Sequence, residues 1–307
     1  GDLTAAAAFF ADYIAAFPFD TLRADAMAVG YGQGSPGVVH LSESTFDRSR
    51  KGEDDKFRAH EVAHQWWGHL VGPATYRDIW LSEGLAEYSA ALYLLLGKND
   101  DKAFQHVLRE WRKKIVQRGM MGGRKSVGFR AGSIWLGYRL KSELSPGDYE
   151  AIIYYKAAYM LHMLRYELRQ QAGGNDSFRQ LLSEFAHKYA NRLVTTGDFI
   201  ATAGQFLHER TDQFFKQWLY DWRVPKIKKR WRRSDNGYID VLIRVEGVGD
   251  DFFTPYPVEI IGDDDAVIAR EVYMIKNGEN HFKFDAIING TRIAKVNFNP
   301  RLDILEQ

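Results

Sequence analysis

The chain has no cysteine. That excludes disulfide frameworks, cysteine-type zinc fingers, iron–sulfur clusters and thiol nucleophiles together. No stretch approaches the roughly 20 apolar residues that a membrane-spanning helix needs. The nearest, Ala5 to Phe19, is interrupted by Asp12 and Pro18 and reads as an amphipathic helix, with no basic segment ahead of it to make a signal peptide. An excess of one charge is missing too. Forty-one Lys and Arg face forty Asp and Glu, so no whole-molecule field draws the chain to nucleic acid or an anionic membrane. What remains is ordinary globular composition, 45% hydrophobic and 26% charged over 307 residues, enough chain for two domains. The chain opens Gly1-Asp2-Leu3 without a methionine, so an upstream domain is expected outside this fragment.

The first hundred residues mix short elements. Leu22 to Gly30 and Val38 to Leu41 read as strands around a glycine-rich connection, Lys56 to Leu70 as a helix, and Ser82 to Leu96 as another with Ser82 as N-cap and Gly97 as stop. From 101 to 222 the period is helical. Lys102 to Arg118, Asp148 to Gln171, Asp176 to Asn191, Gly197 to His208 and Thr211 to Trp222 carry apolar residues at three-to-four spacing. After Pro225 the period changes to two, with Ile239, Val241, Ile243 and Val245 alternating against polar neighbours. Further strands follow to Phe298, with a hairpin expected at Asn277-Gly278. The expected organisation is α+β: a domain over 1–222, made of a mixed lobe (1–100) and a mostly helical lobe (101–222), then a small antiparallel β-sandwich over 223–307.

The segment that carries chemistry is His60-Glu61-Val62-Ala63-His64. Helix positions four apart share one face, so both imidazoles reach one metal ion. Glu61, about 100° round the helix from His60, reaches a water held beside that ion instead. A catalytic zinc takes three protein ligands and leaves one position open. Glu83, separated from His64 by eighteen residues and in the first turn of the next helix, is placed to be the third. Glu87, one turn on, is placed to accept the free N–H of a ligating histidine. One Zn2+ per chain is the expected cofactor.

These residues carry a resemblance. His60 to His64 followed by Gln65-Trp66-Trp67-Gly68, then Trp80-Leu81-Ser82-Glu83-Gly84, resembles the gluzincin aminopeptidases, the family of alanyl and leucyl aminopeptidases and leukotriene-type hydrolases. Ser82 stands where that family usually has Asn. The resemblance implies a thermolysin-like zinc catalytic domain with His60, His64 and Glu83 as ligands and Glu61 as general base. It also implies an oxyanion-stabilising tyrosine in a Y-x-K-G segment. Tyr154-Tyr155-Lys156-Ala157 matches with Ala for Gly and identifies Tyr154, leaving Tyr155 and Tyr159 as packing residues. The likeness continues through Pro225 into the β-sandwich, at Pro257-Val258-Glu259 and Asn299 to Leu305.

Two departures bear on specificity. The family's G-x-M-E-N motif, whose Glu holds a substrate's α-amine, is replaced by Tyr31-Gly32-Gln33-Gly34-Ser35-Pro36-Gly37, with Gly34 at the Glu position. The family's N-terminal β-domain is absent from the fragment. Gln33 and Gly34 remain candidate substrate-binding positions, because an edge strand there offers its backbone to a peptide. The same stretch fits G-x-G-x-x-G, but Pro36 and the strand-like Val38-Val39 follow where a nucleotide site needs a helix.

The run Arg223 to Arg233 holds seven cations, yet 234–307 holds fourteen acids against seven Lys and Arg, so its charge is expected to be offset within its own domain and not by nucleic acid. The expected function is zinc-dependent, aminopeptidase-like hydrolysis of a peptide substrate. The alternatives are an endopeptidase acting on substrates without a free N-terminus, and a non-catalytic zinc-containing peptide-binding module.

Overall fold

A computed structural model describes residues 2–28, 32–46, 53–117, 119–121, 124–126, 128–145, 147–172, 176–288 and 290–307. Val29, Gly30, Tyr31 and Arg118, which the expected first strand, motif stretch and fourth helix include, lie outside them. The chain separates into two compact units, Gly1–Trp222 and Arg223–Gln307.

In the first unit, α1 (Asp2–Tyr13) is followed by a three-stranded sheet of β1 (Arg23–Met27), β2 (Gln33–Ser35) and β3 (Val38–Ser42). Its order is β1-β3-β2, with β1 parallel and β2 antiparallel to the central strand, so β2 lies at an edge. Helix α2 (Glu53–Ala63) carries the histidine motif, and α3 (Trp80–Leu92) carries Glu83 and Glu87. Between them β4 (Val71–Pro73) pairs in parallel with β7 (Arg192–Val194).

The expected helix from Lys56 to Leu70 ends early, at Ala63. Gly68 adopts φ +123°, a conformation reserved for glycine, and the chain reverses there as its N–H bonds Val71 O at 2.8 Å. The His64 N–H still reaches His60 O at 3.2 Å, which keeps both imidazoles on one face. Ser82 is not the N-cap of α3 either. The helix begins two residues earlier because Trp80 and Leu81 are buried, and Ser82 Oγ donates to Trp67 O at 3.1 Å from inside the first turn.

Helix α3 is buried on nearly every face and forms the centre of this unit. The buried tryptophans around it each place their indole N–H: Trp66 on Ala15 O, Trp67 on Ser89 Oγ and Trp80 on Thr196 Oγ1, all within 3.0 Å. Helix α4 (Asp101–Val116) buries Phe104, Val107, Leu108, Trp111 and Ile115 at helical spacing and is capped by Asp100, whose carboxylate accepts from Ala103 N. Such a cap stabilises a helix by about 1 kcal/mol.

After a short antiparallel pair, β5 (Gly119–Met121) with β6 (Arg124–Ser126), come two 3₁₀ segments and a π-helical stretch, Glu150–Lys156, that runs into α5 (Ala157–Ala172). Helices α6 (Asp176–Lys188), α7 (Thr196–Leu207) and α8 (Thr211–Phe215) complete the unit. A Thr195–Asp198 capping box starts α7.

The second unit is a sandwich of antiparallel sheets. One holds β8 (Lys226–Arg233), β9 (Tyr238–Glu246) and β12 (Gly278–Asp285); the other holds β10 (Phe253–Gly262), β11 (Val267–Lys276), β13 (Ile287–Ile288) and β14 (Thr291–Phe298). Ile239, Val241, Ile243 and Val245 are buried along β9. Asn277-Gly278 does not close a hairpin: β11 pairs with β10 and β12 with β9, so the turn carries the chain from one sheet to the other. The stacked rings of Tyr273 and Phe282, 4.0 Å apart at 24°, bridge the sheets beside it. Along β8, Lys228 pairs with Glu246, Arg232 with Asp240 and Lys229 with Glu306, all inside this unit.

Candidate active site

A cavity of about 560 Å³ opens between β2, α2, α3 and the π-helical stretch. His60, His64, Glu83, Glu61, Glu87, Tyr154, Gln33 and Gly34 all line it, so the residues singled out in the sequence come together on one site. The Nε2 atoms of His60 and His64 are 3.1 Å apart, and Glu83 Oε2 lies 3.6 Å from the first and 3.3 Å from the second.

The other ring nitrogens explain this geometry. His64 Nδ1 is 2.8 Å from Trp67 O, and a carbonyl only accepts, so Nδ1 carries the proton. His60 Nδ1 is 2.9 Å from Glu87 Oε2, again an acceptor. In the neutral imidazoles both Nε2 lone pairs then face each other and a carboxylate oxygen. One atom from each of His60, His64 and Glu83 lies within 4.8 Å of the others, the only such group of three among the described residues. Three converging acceptors with their orientation set from behind are the donor set that suits zinc.

The electrostatics agree. Burial alone lowers the His60 pKa, but the Glu83 and Glu87 carboxylates outweigh it and hold the imidazole up at about 10. Burial raises Glu83 and Glu87, yet hydrogen bonding to the two histidines for the first, and Lys56 with His60 for the second, keep both well below the usual carboxylate range. The negative field that binds an extra proton on His60 is the field a dication meets, and metal and proton compete for it.

Glu61 is buried on α2 with its carboxylate beside Gly32, the residue ahead of β2; a Cβ at Gly32 would come 2.9 Å from its Oε1. The Tyr154 ring stacks on His60, and Tyr154 lines the same cavity as Glu83. Burial, then the charge of Glu83, pushes the Tyr154 pKa far up, so the phenol stays a donor.

Gly34 does not face open space. A Cβ there would lie 2.9 Å from both Glu61 O and His64 Cβ, so glycine lets β2 rest directly on α2. His69 Nε2 donates to Gly34 O at 3.0 Å and holds the strand from the other side.

Several residues escaped the sequence reading. Lys56 and Trp111 both donate to Glu87, Trp111 at 2.8 Å. Tyr149 packs edge-on against Tyr154 and stacks on Tyr138, and Glu150 lines the cavity while accepting from the Tyr155 hydroxyl. A lysine one turn before the first histidine, on its helix face, was the one available signal for Lys56.

Comparison with known proteins gives the context. Mouse aminopeptidase RNPEPL1 is 28% identical over 179 residues, covering 54% of this chain and 24% of that protein. Transcription initiation factor TFIID subunit 2 of Schizosaccharomyces pombe is 24% identical over 181 residues, covering 56% of this chain and 14% of that protein. The fold matches the crystal structure of Legionella pneumophila aminopeptidase A in complex with aspartic acid with a TM-score of 0.73 at 15% identity, covering 100% of this chain and 34% of that one. The chain thus spans about a third or less of the length of these proteins. The Peptidase family M1 domain matches residues 41–218, more than half of the chain, which therefore belongs to that family.

Proposed function

We propose that this chain is the catalytic part of a zinc-dependent peptidase that hydrolyses peptide bonds in an aminopeptidase-like way. The observation that carries the proposal is the meeting of His60 Nε2, His64 Nε2 and Glu83 Oε2 in one cavity with Glu61 and Tyr154 beside them. One zinc ion held by those three residues would polarise a scissile carbonyl and lower the pKa of water to about 7.

The chain's own groups do the rest. Glu61 takes the proton from the attacking water and hands it to the leaving amine. Tyr154 donates its phenolic hydrogen to the developing oxyanion. Glu87 holds His60 in the tautomer whose Nε2 is free to ligate. Gln33 and Gly34, on edge strand β2, offer backbone groups to an extended peptide.

The position resembling an amine-holding Glu is Gly34, whose Cβ direction runs into α2, so this wall offers no carboxylate to a free N-terminus. That favours including blocked and internal peptide bonds among the substrates. The similarity to a protein named as a transcription-factor subunit favours a second reading, a peptide-binding module that retains the zinc fold. The intact Glu61 beside the metal ligands weighs against it, because a scaffold has no use for a base there.

The test is incubation of the zinc-loaded chain with free and N-acetylated peptides, with and without chelator, followed by mass spectrometry of the products. Chelator-sensitive cleavage is expected. Loss of single N-terminal residues against internal cuts then assigns the specificity, and peptide binding without cleavage would favour the module.

A further inference from the structure

Glu87 is gripped at both oxygens. Its Oε2 faces His60 Nδ1 at 2.9 Å, while Oε1 accepts from Trp111 Nε1 at 2.8 Å and from the ammonium of Lys56. The carboxylate is 4% exposed, so water does little to orient it or to balance its charge. A buried anion is tolerated when it is paired and hydrogen-bonded, and Lys56 is the side chain in contact with it that carries a fixed positive charge.

Lys56 and His60 are four residues apart on α2 and therefore on one face of that helix. Together they hold the two oxygens of one carboxylate projecting from α3. A carboxylate fixed at two points cannot swing about its last bond, so the direction of Oε2, and with it the plane of the His60 ring, is set. The ammonium is itself confined, lying 5.8 Å from the ring centroids of Trp111 and of Tyr155. Helix α4 and the π-helical stretch thus both bear on the lysine that orients the histidine's partner.

We propose that Lys56 is a positioning residue for the metal centre, acting through Glu87 to aim His60 Nε2 at the ion. The proposal rests on the reading of His60, His64 and Glu83 as the metal ligands. Lys56 lines the cavity but is not one of the three converging donors, and its effect falls on affinity for the ion. Trp111 serves the same oxygen as a neutral donor and contributes direction without charge.

The experiment measures zinc affinity of the full 307-residue chain by competition with a chromogenic chelator, after stripping and reloading, with the fold of each variant checked by its metal-free melting temperature. Lys56→Met is expected to weaken zinc binding about 10- to 100-fold, the range for loss of an outer partner of a ligating histidine. Lys56→Arg, which keeps a cation on Glu87, is expected to restore affinity close to wild type. Trp111→Phe is expected to cost less than Lys56→Met. If Lys56→Met fails to fold, Lys56→Gln replaces it with the same expected loss.

Wild-type affinity in the charge-free variant, or an arginine variant as weak as the methionine one, overturns the role of Lys56. A wild-type chain that takes up no zinc overturns the metal-centre reading instead.

Discussion

The ring of Tyr154 lies parallel to the imidazole of His60, with centroids 5.9 Å apart and planes within 11°. The stacking fixes where the phenol points, into the cavity that Glu83 also lines. Tyr154→Phe keeps the stack and removes only the donor. We expect kcat to fall about 10²- to 10³-fold, the loss typical of one oxyanion donor, with zinc content and KM little changed. A variant with wild-type kcat would mean that the oxyanion is held elsewhere.

Glu61→Gln preserves shape and removes the proposed base. Turnover is expected to drop about 10²- to 10⁴-fold, the usual contribution of a positioned general base. Zinc should still bind in one equivalent, because none of the three converging donors is altered. Steady-state kinetics and metal analysis on the same preparation check both halves, and undiminished turnover removes Glu61 from the mechanism.

Glu83→Ala separates metal from base in the opposite sense. It deletes one of the three proposed ligands and leaves two imidazoles, which hold zinc poorly. Metal analysis after dialysis should find far less than one equivalent. Full zinc retention would show that another side chain supplies the third ligand.

What was legible in the sequence was local. The four-residue spacing of His60 and His64 already implied one face, and that survives although α2 ends at Ala63, because the His64 N–H still bonds His60 O. Alternation along β9 was equally readable, since a period of two says which face is buried without knowing what covers it. Lys56 was not legible as a partner of Glu87, because its role depends on α4 bringing Trp111 alongside. The passage of Asn277-Gly278 between sheets was hidden for the same reason: a turn dipeptide fixes a bend, while pairing decides which strands it joins. Gly32 and Gly34 read as a loop motif, yet their use is to let β2 lie on α2, a contact made from residues distant in the chain.

Gly84 sits next to Glu83, the proposed third ligand, where α3 meets α5. A Cβ there would lie 2.6 Å from Ala157 Cβ and 3.4 Å from Ile153 O, so the two segments that carry Glu83 and Tyr154 touch through this glycine. Gly84→Ala gains helix propensity but overpacks the crossing. The second effect should win, with a net loss of about 1–3 kcal/mol in denaturant unfolding and lower activity at saturating zinc. Unchanged stability would mean that α3 and α5 part without cost.

Lys156 ends the π-helical stretch that bears Tyr154, and it is 1% exposed. Its ammonium donates to Asp221 O and Trp222 O at 3.0 Å each, tying that stretch to the end of the first unit. Burial pulls its pKa from 10.5 down to about 7, against the opposing pull of the Asp221 charge. Between about pH 7 and 10.5 the unfolded chain therefore holds a proton on this lysine that the folded chain releases. Stability rises with pH wherever the unfolded state binds more protons, so this residue contributes a gain that grows through the window and a fixed cost below it. Lys156→Met removes the titration. Urea unfolding of both proteins across the window should give a wild-type stability that climbs relative to the variant as pH increases. A constant difference between the two would mean that Lys156 stays charged when folded, held by its two carbonyl acceptors.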